Sequence, residues 1–215
     1  MSEFMGRRLP VYLLLDCSGS MSGEPIEQVR QGIRALVQDL STEPMALETA
    51  YLSVIRFDST ATQIVPLTEL MAFPQPNLDA SGSTALGAGL ALLEKCIDKE
   101  VRKTTATVKG DWKPLVFIMT DGNPTDSWRD AAKSLKSKKI GNIIACAAGP
   151  NADSSILREI TEIVVELNSL QPAAMTAFFK WVTDSIKTTS LSIAQNPGEA
   201  PINLPPPPPV IQIVP

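Results

Sequence analysis

The chain has 215 residues, enough for one domain with a real core, and its 44% hydrophobic and 20% charged residues are those of an ordinary globular protein. A net charge of −4, from 19 basic and 23 acidic residues, argues against a nucleic-acid backbone or an anionic membrane as partner. Histidine is absent, which excludes histidine-based zinc sites, Ser-His-Asp triads and histidine proton relays.

Met1-Ser2-Glu3-Phe4 precedes a second methionine, Met5, and reads as a cloning remnant outside the fold. Val11 to Leu15 is a continuous apolar run, expected to be a strand buried on both faces. Ile26, Val29, Ile33, Leu36, Val37 and Leu40 follow at helical spacing, with Pro25 in the first turn. Ala50 to Phe57 is a strand pattern, and Asp58-Ser59 separates it from another at Thr62 to Val65, so this pair is expected to be an antiparallel hairpin. Pro74 and Pro76 mark a loop. Ser81-Gly82-Ser83-Thr84 then opens a helix with Leu86, Leu90, Leu93, Ile97 and Val101 on one face. Leu115 to Met119 is a second fully apolar strand, ending at Thr120-Asp121-Gly122; Asp126 is placed as the N-cap of a short helix through Leu135. Strands at Ile143 to Ala148 and Ile163 to Leu167 and a helix near residues 172–190 complete the pattern. Alternating strands and helices predict an α/β fold: a doubly wound, mostly parallel six-stranded sheet with helices on both faces and one antiparallel edge strand.

The last 20 residues change character. Pro205 to Pro209 favour an extended polyproline II conformation. Residues 191–215 are read as a Pro-rich tail following a domain of residues 5–190. Either the tail is solvated, or Ile211-Gln212-Ile213-Val214 adds to an exposed sheet edge. Three widely spaced cysteines, Cys17, Cys96 and Cys146, without a C-x-x-C pair, fit small buried hydrophobes in a reducing compartment. With no visible signal peptide and no long apolar run, a cytoplasmic protein is expected.

The chemically informative segment is Asp16-Cys17-Ser18-Gly19-Ser20, directly after the first buried strand. Thr120-Asp121-Gly122 occupies the same position after the other apolar strand. In an open parallel sheet, sites form beyond the carboxyl ends of the strands, so both acidic loops should face one crevice. Ser81-Gly82-Ser83-Thr84 supplies a third polar loop. Such a cluster offers only oxygen donors, which suit a hard cation: Mg2+ first, with Ca2+ and Mn2+ as alternatives. If the carboxylates act mainly through water, the ion keeps attraction for an outside anion, and a partner's carboxylate can complete its shell.

D-x-S-x-S at 16–20, threonine at 84 and T-D-G at 120–122 resemble the metal-ion-dependent adhesion site of von Willebrand factor type A domains, over about residues 9–190. The resemblance implies the family's doubly wound fold. It also implies a metal set of Asp16, Ser18, Ser20, Thr84 and Asp121. Ser18, Ser20 and Thr84 would contact the ion directly in the ligand-bound form, and Asp16 and Asp121 would act mostly through water. Within the family, Leu9 to Met21 and Thr120-Asp121-Gly122-Asn123-Pro124-Thr125-Asp126 resemble bacterial TerY-type tellurite-resistance proteins. That resemblance implies a cytoplasmic scaffold for stress-response phosphorylation, with a protein kinase and a PP2C-like phosphatase as partners.

Two other functions compete with a binding module. A Mg2+-dependent phosphoesterase would use the two aspartates, but Ser18 stands where a second acid/base carboxylate would be wanted. A structural scaffold would use the metal only to stiffen loops. A nucleotide site around Gly82, Gly87 and Gly89 lacks the lysine of a P-loop. Four nearby residues stay open: Asp58 as turn residue or crevice rim, Trp128 as helix packing or exposed partner anchor, and Glu24 and Asp126 as outer negative charge or helix N-terminal acids. Glu199, the tail's one side-chain carboxylate, is a candidate mimic of a partner acid at a neighbouring chain's metal.

Overall fold

A computed structural model describes residues 6–195 and 204–214. The expected remnant at 1–4 and Glu199 lie outside the described residues. Seven strands form one sheet: β1 (Leu9–Asp16), β2 (Ala50–Phe57), β3 (Ala61–Glu69), β4 (Leu115–Thr120), β5 (Asn142–Ala148), β6 (Ile163–Leu167) and β7 (Ile211–Val214). Their order is β3-β2-β1-β4-β5-β6-β7. The five inner strands are parallel, and β3 and β7 close the two edges antiparallel. The expected α/β architecture and the β2–β3 hairpin are present. The sheet has seven strands rather than six because the tail supplies β7.

Among the described residues six α-helices cover the sheet: α1 (Glu24–Leu40), α2 (Pro44–Thr49), α3 (Leu86–Glu100), α4 (Arg129–Lys136), α5 (Ser154–Arg158) and α6 (Pro172–Gln195). Strand periodicity separates the two apolar layers. Leu9, Val11, Leu13 and Leu15 of β1 share one layer with the apolar faces of α1 and α6. Tyr12 and Leu14 share the other with those of α3 and α4. This two-sided burial is why β1 and β4 read as unbroken apolar runs. Gly32 lets α1 and α6 approach closely, since any side chain there would overlap the Phe179 ring.

The described part of the tail, residues 191–195 and 204–214, is not a solvated appendage. Helix α6 runs to Gln195, beyond the expected end near 190. Leu204 packs against the core, Ile211 is buried, and Ile211–Val214 pairs with Leu167–Val164. No helix among the described residues is long and apolar enough to cross a membrane.

Candidate functional site

The site follows from sheet topology. Chain order places β1 between β2 and β4, so the connections from β1 and β4 leave toward opposite sides and open a crevice beyond the strand ends. Leu15 pairs with Met119, which sets Asp16 beside Thr120, the last residues of their strands.

Asp16 is 1% exposed. Its Oδ1 accepts the Ser18 N–H at 2.8 Å and its Oδ2 accepts the Thr120 hydroxyl at 2.6 Å. The Ser18 and Ser20 hydroxyl oxygens lie 3.0 Å apart, and the Ser20 hydroxyl donates to Asp121 Oδ1 at 2.8 Å. One polar chain therefore joins Thr120, Asp16, Ser18, Ser20 and Asp121. Thr84 lies beside the T-D-G loop, its Oγ1 3.5 Å from where a Cβ on Gly122 would stand. Asp16, Ser18, Thr84 and Asp121 are buried, while Ser20 is exposed, so the cluster opens to solvent at Ser20. Of the five residues singled out in the sequence, Asp16, Ser18, Ser20 and Asp121 are joined by hydrogen bonds, and Thr84 stands beside the T-D-G loop.

The three loops are tied together by main-chain bonds. Gly19 N–H donates to Gly82 O at 3.0 Å and Ser81 N–H to Cys17 O at 2.8 Å. Thr125 N–H donates to Thr84 O at 2.8 Å. Gly82 adopts φ +73°, and any side chain there would strike the Ser59 hydroxyl, which accepts the Ser83 N–H at 3.0 Å. Asp126 adds a carboxylate clamp. Its Oδ1 accepts the Gly87 N–H and its Oδ2 the Ala88 N–H, each at 2.9 Å. Asp126 thus caps α3, which is distant in sequence, and not the following helix, whose N-cap position is held by Trp128. The correction has a simple cause: a cap acts where its oxygen reaches free N–H groups, and the fold brings α3's first turn nearer than α4's.

Two further open readings are decided by packing. Trp128 is 6% exposed inside the second apolar layer, with the Arg129 guanidinium over its ring, so it is a packing residue and not an exposed anchor. Asp58 pairs with Arg56 and accepts the Thr60 N–H at 2.9 Å as the turn residue of the β2–β3 hairpin, and its carbonyl accepts the Ala85 N–H at 2.7 Å, so it also stands at the crevice rim beside Thr84. Glu24 is exposed in the first turn of α1. Thr120, whose hydroxyl orients Asp16, is part of T-D-G in the sequence, but its contact with Asp16 follows only from β4 lying beside β1.

The electrostatics are those of an acid pair without a cation. Burial pushes the Asp16 carboxyl above its ordinary value, against the lowering effect of its hydrogen bonds to Thr120 and Ser18. Burial, then the nearby Asp16 charge, raises Asp121, partly offset by Ser20. Among the described residues neither has a Lys or Arg ion-pair partner. Nor does any group of three or more Cys, Asp or Glu side chains there form a metal cluster, so hydroxyls must supply part of any donor set. The three thiols are buried and unpaired in disulfides. Burial raises Cys17 to about 12 and Cys96 to about 11, so neither is a ready thiolate or soft-metal ligand.

Comparison with known proteins agrees with this architecture. An uncharacterized protein from Synechocystis sp. is 33% identical over 123 residues, which are 54% of this chain and 26% of that protein. This chain thus spans about a quarter of that relative's length. A von Willebrand factor type A protein from Catenulispora acidiphila superposes with a TM-score of 0.66 at 17% identity, covering 85% of this chain and 43% of that one. Proximal thread matrix protein 1 from the mussel byssus, solved with zinc in its metal-ion-dependent adhesion site, superposes with a TM-score of 0.61 at 19% identity, over 83% of this chain and 48% of that one. The model of the von Willebrand factor type A domain matches residues 11–185, and the chain belongs to that family.

Proposed function

We propose that this chain is a non-enzymatic, metal-dependent protein-interaction module. Ser18, Ser20 and Thr84 would hold Mg2+ directly, Asp16 and Asp121 would act mainly through water, and a partner's Asp or Glu would complete the shell. The observation that carries this reading is the polar chain from Thr120 through Asp16, Ser18 and Ser20 to Asp121, open at Ser20. The zinc-occupied adhesion site of the mussel protein supports a divalent ion in this fold; the all-oxygen donor set favours Mg2+ over softer metals here.

The chain's own residues divide the work. Asp16 is fixed by Thr120 and by the Ser18 N–H, so its charge is aimed into the crevice without freedom to swing away. Ser18 and Ser20 present neutral oxygens, which leave a bound dication with uncancelled charge for an external carboxylate. Asp126 and the Thr125–Thr84 bond hold Thr84 against the T-D-G loop. A bound ion supplies electrostatic attraction for the incoming acid.

The finer assignment is a cytoplasmic scaffold of the tellurite-resistance type, bringing together a protein kinase and a PP2C-like phosphatase. It rests on Leu9 to Met21 and Thr120 to Asp126, and the buried free thiols suit a reducing compartment. The test is calorimetric titration with Mg2+, followed by binding of the purified kinase and phosphatase in Mg2+ or EDTA. Ser18→Ala should abolish metal binding and metal-dependent partner binding while leaving the fold intact. Equal partner affinity in Mg2+ and EDTA refutes the module. Turnover of phosphoesters lost in Asp16→Ala would favour the phosphoesterase.

A further inference from the structure

The far edge of the sheet carries a second recognition surface. Strand β6 is apolar apart from Glu166, with Val164, Val165 and Leu167 buried, and among the described residues its outer edge is covered by β7. An uncovered edge of this composition would be a template for pairing with another chain. The covering segment binds in the manner of a ligand. The Trp181 indole Nε1 of α6 donates to the carbonyl of Pro205 at 2.9 Å, Leu204 packs on the core, Pro208 O accepts the Ile211 N–H at 2.8 Å, and Ile211 is 3% exposed. An aromatic N–H on a proline-segment carbonyl, followed by strand addition with one apolar anchor, joins two recurring modes of peptide recognition.

The connection permits exchange. Trp181 lies fourteen residues before the end of α6, about 21 Å along the helix. The ten residue steps from Gln195 to Pro205 span about 33–36 Å when extended. That reach suffices for closure onto the same chain, so exchange with a second copy competes with closure only as protein concentration rises. The strand itself carries no charge and no internal proline, and Ile213 is 54% exposed at the rim. The opposite edge strand, β3, is interrupted by Pro66 and by irregular pairing with β2, the usual protections of an edge.

We propose that the groove between Trp181 and the β6 edge is a recognition site for a proline-led, alternating apolar peptide. The chain's own residues 204–214 fill it in cis, and the same segment of a second copy fills it by exchange. The site is separate from the metal crevice, so EDTA should not affect it. A specific protease site inserted between Gly198 and Glu199, cut after the full chain has folded, tests the proposal. The cut protein should take up a fluorescent peptide of residues 204–214, and the Ile211→Asp peptide should bind at least 10-fold more weakly. No uptake by a folded cut protein, equal uptake of both peptides, or unfolding of the domain on cutting would each overturn the site. The uncut chain should form, at rising concentration in sedimentation, a dimer that excess peptide dissolves. A chain that stays monomeric, or a dimer indifferent to the peptide, would overturn the exchange between copies.

Discussion

The two ends of β1 hold buried aspartates in opposite electrical circumstances. Below its start, the Asp111 side chain is fully buried and gripped by two guanidinium groups. Arg8 Nη2 donates to its Oδ2 at 2.6 Å and Arg102 Nε to its Oδ1 at 2.9 Å, and these bonds hold the Asp111 carboxyl below its ordinary value despite burial. At the other end, Asp16 and Asp121 are also buried but have only hydroxyls and N–H groups around them, and both are raised. A buried acid whose counter-ion is covalently part of the chain serves the fold. A buried acid pair without one is the candidate site for the external cation proposed above.

The largest expected effect tests the closed end. Asp111→Ala leaves Arg8 and Arg102 without their shared partner and should cost about 3 kcal/mol in chemical denaturation, less than for a fully buried pair because Arg102 is half exposed, with no change in Mg2+ affinity. At the open end, Mg2+ at one hundred times its dissociation constant should raise stability by about 2.7 kcal/mol. EDTA or Ser18→Ala should remove that gain, which thermal melts with and without metal would read. A Mg2+ effect on Asp111→Ala equal to that on wild type would sharpen the contrast; an effect lost in both variants would break it. Asp126→Ala uncaps α3 and should cost about 1 kcal/mol. It should also weaken Mg2+ binding by loosening Thr84, so a loss of stability with unchanged metal affinity would show that the clamp serves only the helix.

The smallest effects are those of pH, and their signs are opposite at the two ends. The lowered Asp111 contributes stability above its unfolded value, and this is lost as pH falls through its folded value. The raised Asp16 and Asp121 favour the metal-free fold below the unfolded value, and that contribution is lost as pH rises through their folded values. Mg2+ competes with those protons, so its stabilising effect should grow as pH rises above about 4, the ordinary carboxylate range. Melting curves across pH in Mg2+ and EDTA would check this; a metal effect that shrinks with rising pH would contradict the assignment of the acids.

The local signals were strongest where burial is two-sided. Val11 to Leu15 and Leu115 to Met119 can be little but central strands, and the polar residues just past them are legible as a crevice once parallel order is assumed. The tail is the counter-case. Three apolar residues and a glutamine after a proline run carry no period long enough to separate a solvated segment from a strand, and their partner, β6, lies more than forty residues earlier. Asp126 fails for a related reason. Its sequence neighbours advertise a cap for the next helix, yet its oxygens reach Gly87 and Ala88.

Composition, strand periodicity and the spacing of D-x-S-x-S, Thr84 and T-D-G determined by themselves the α/β class, the family resemblance and the oxygen donors available to a cation. These are properties of side-chain chemistry and of repeats only a few residues long. Which helix Asp126 caps, whether Trp128 is covered, that Thr120 steers Asp16 and that residues 211–214 complete the sheet were decided only by tertiary structure. Each depends on which surfaces meet across long stretches of chain, where loop-closure entropy and competing partners leave no local trace in the sequence.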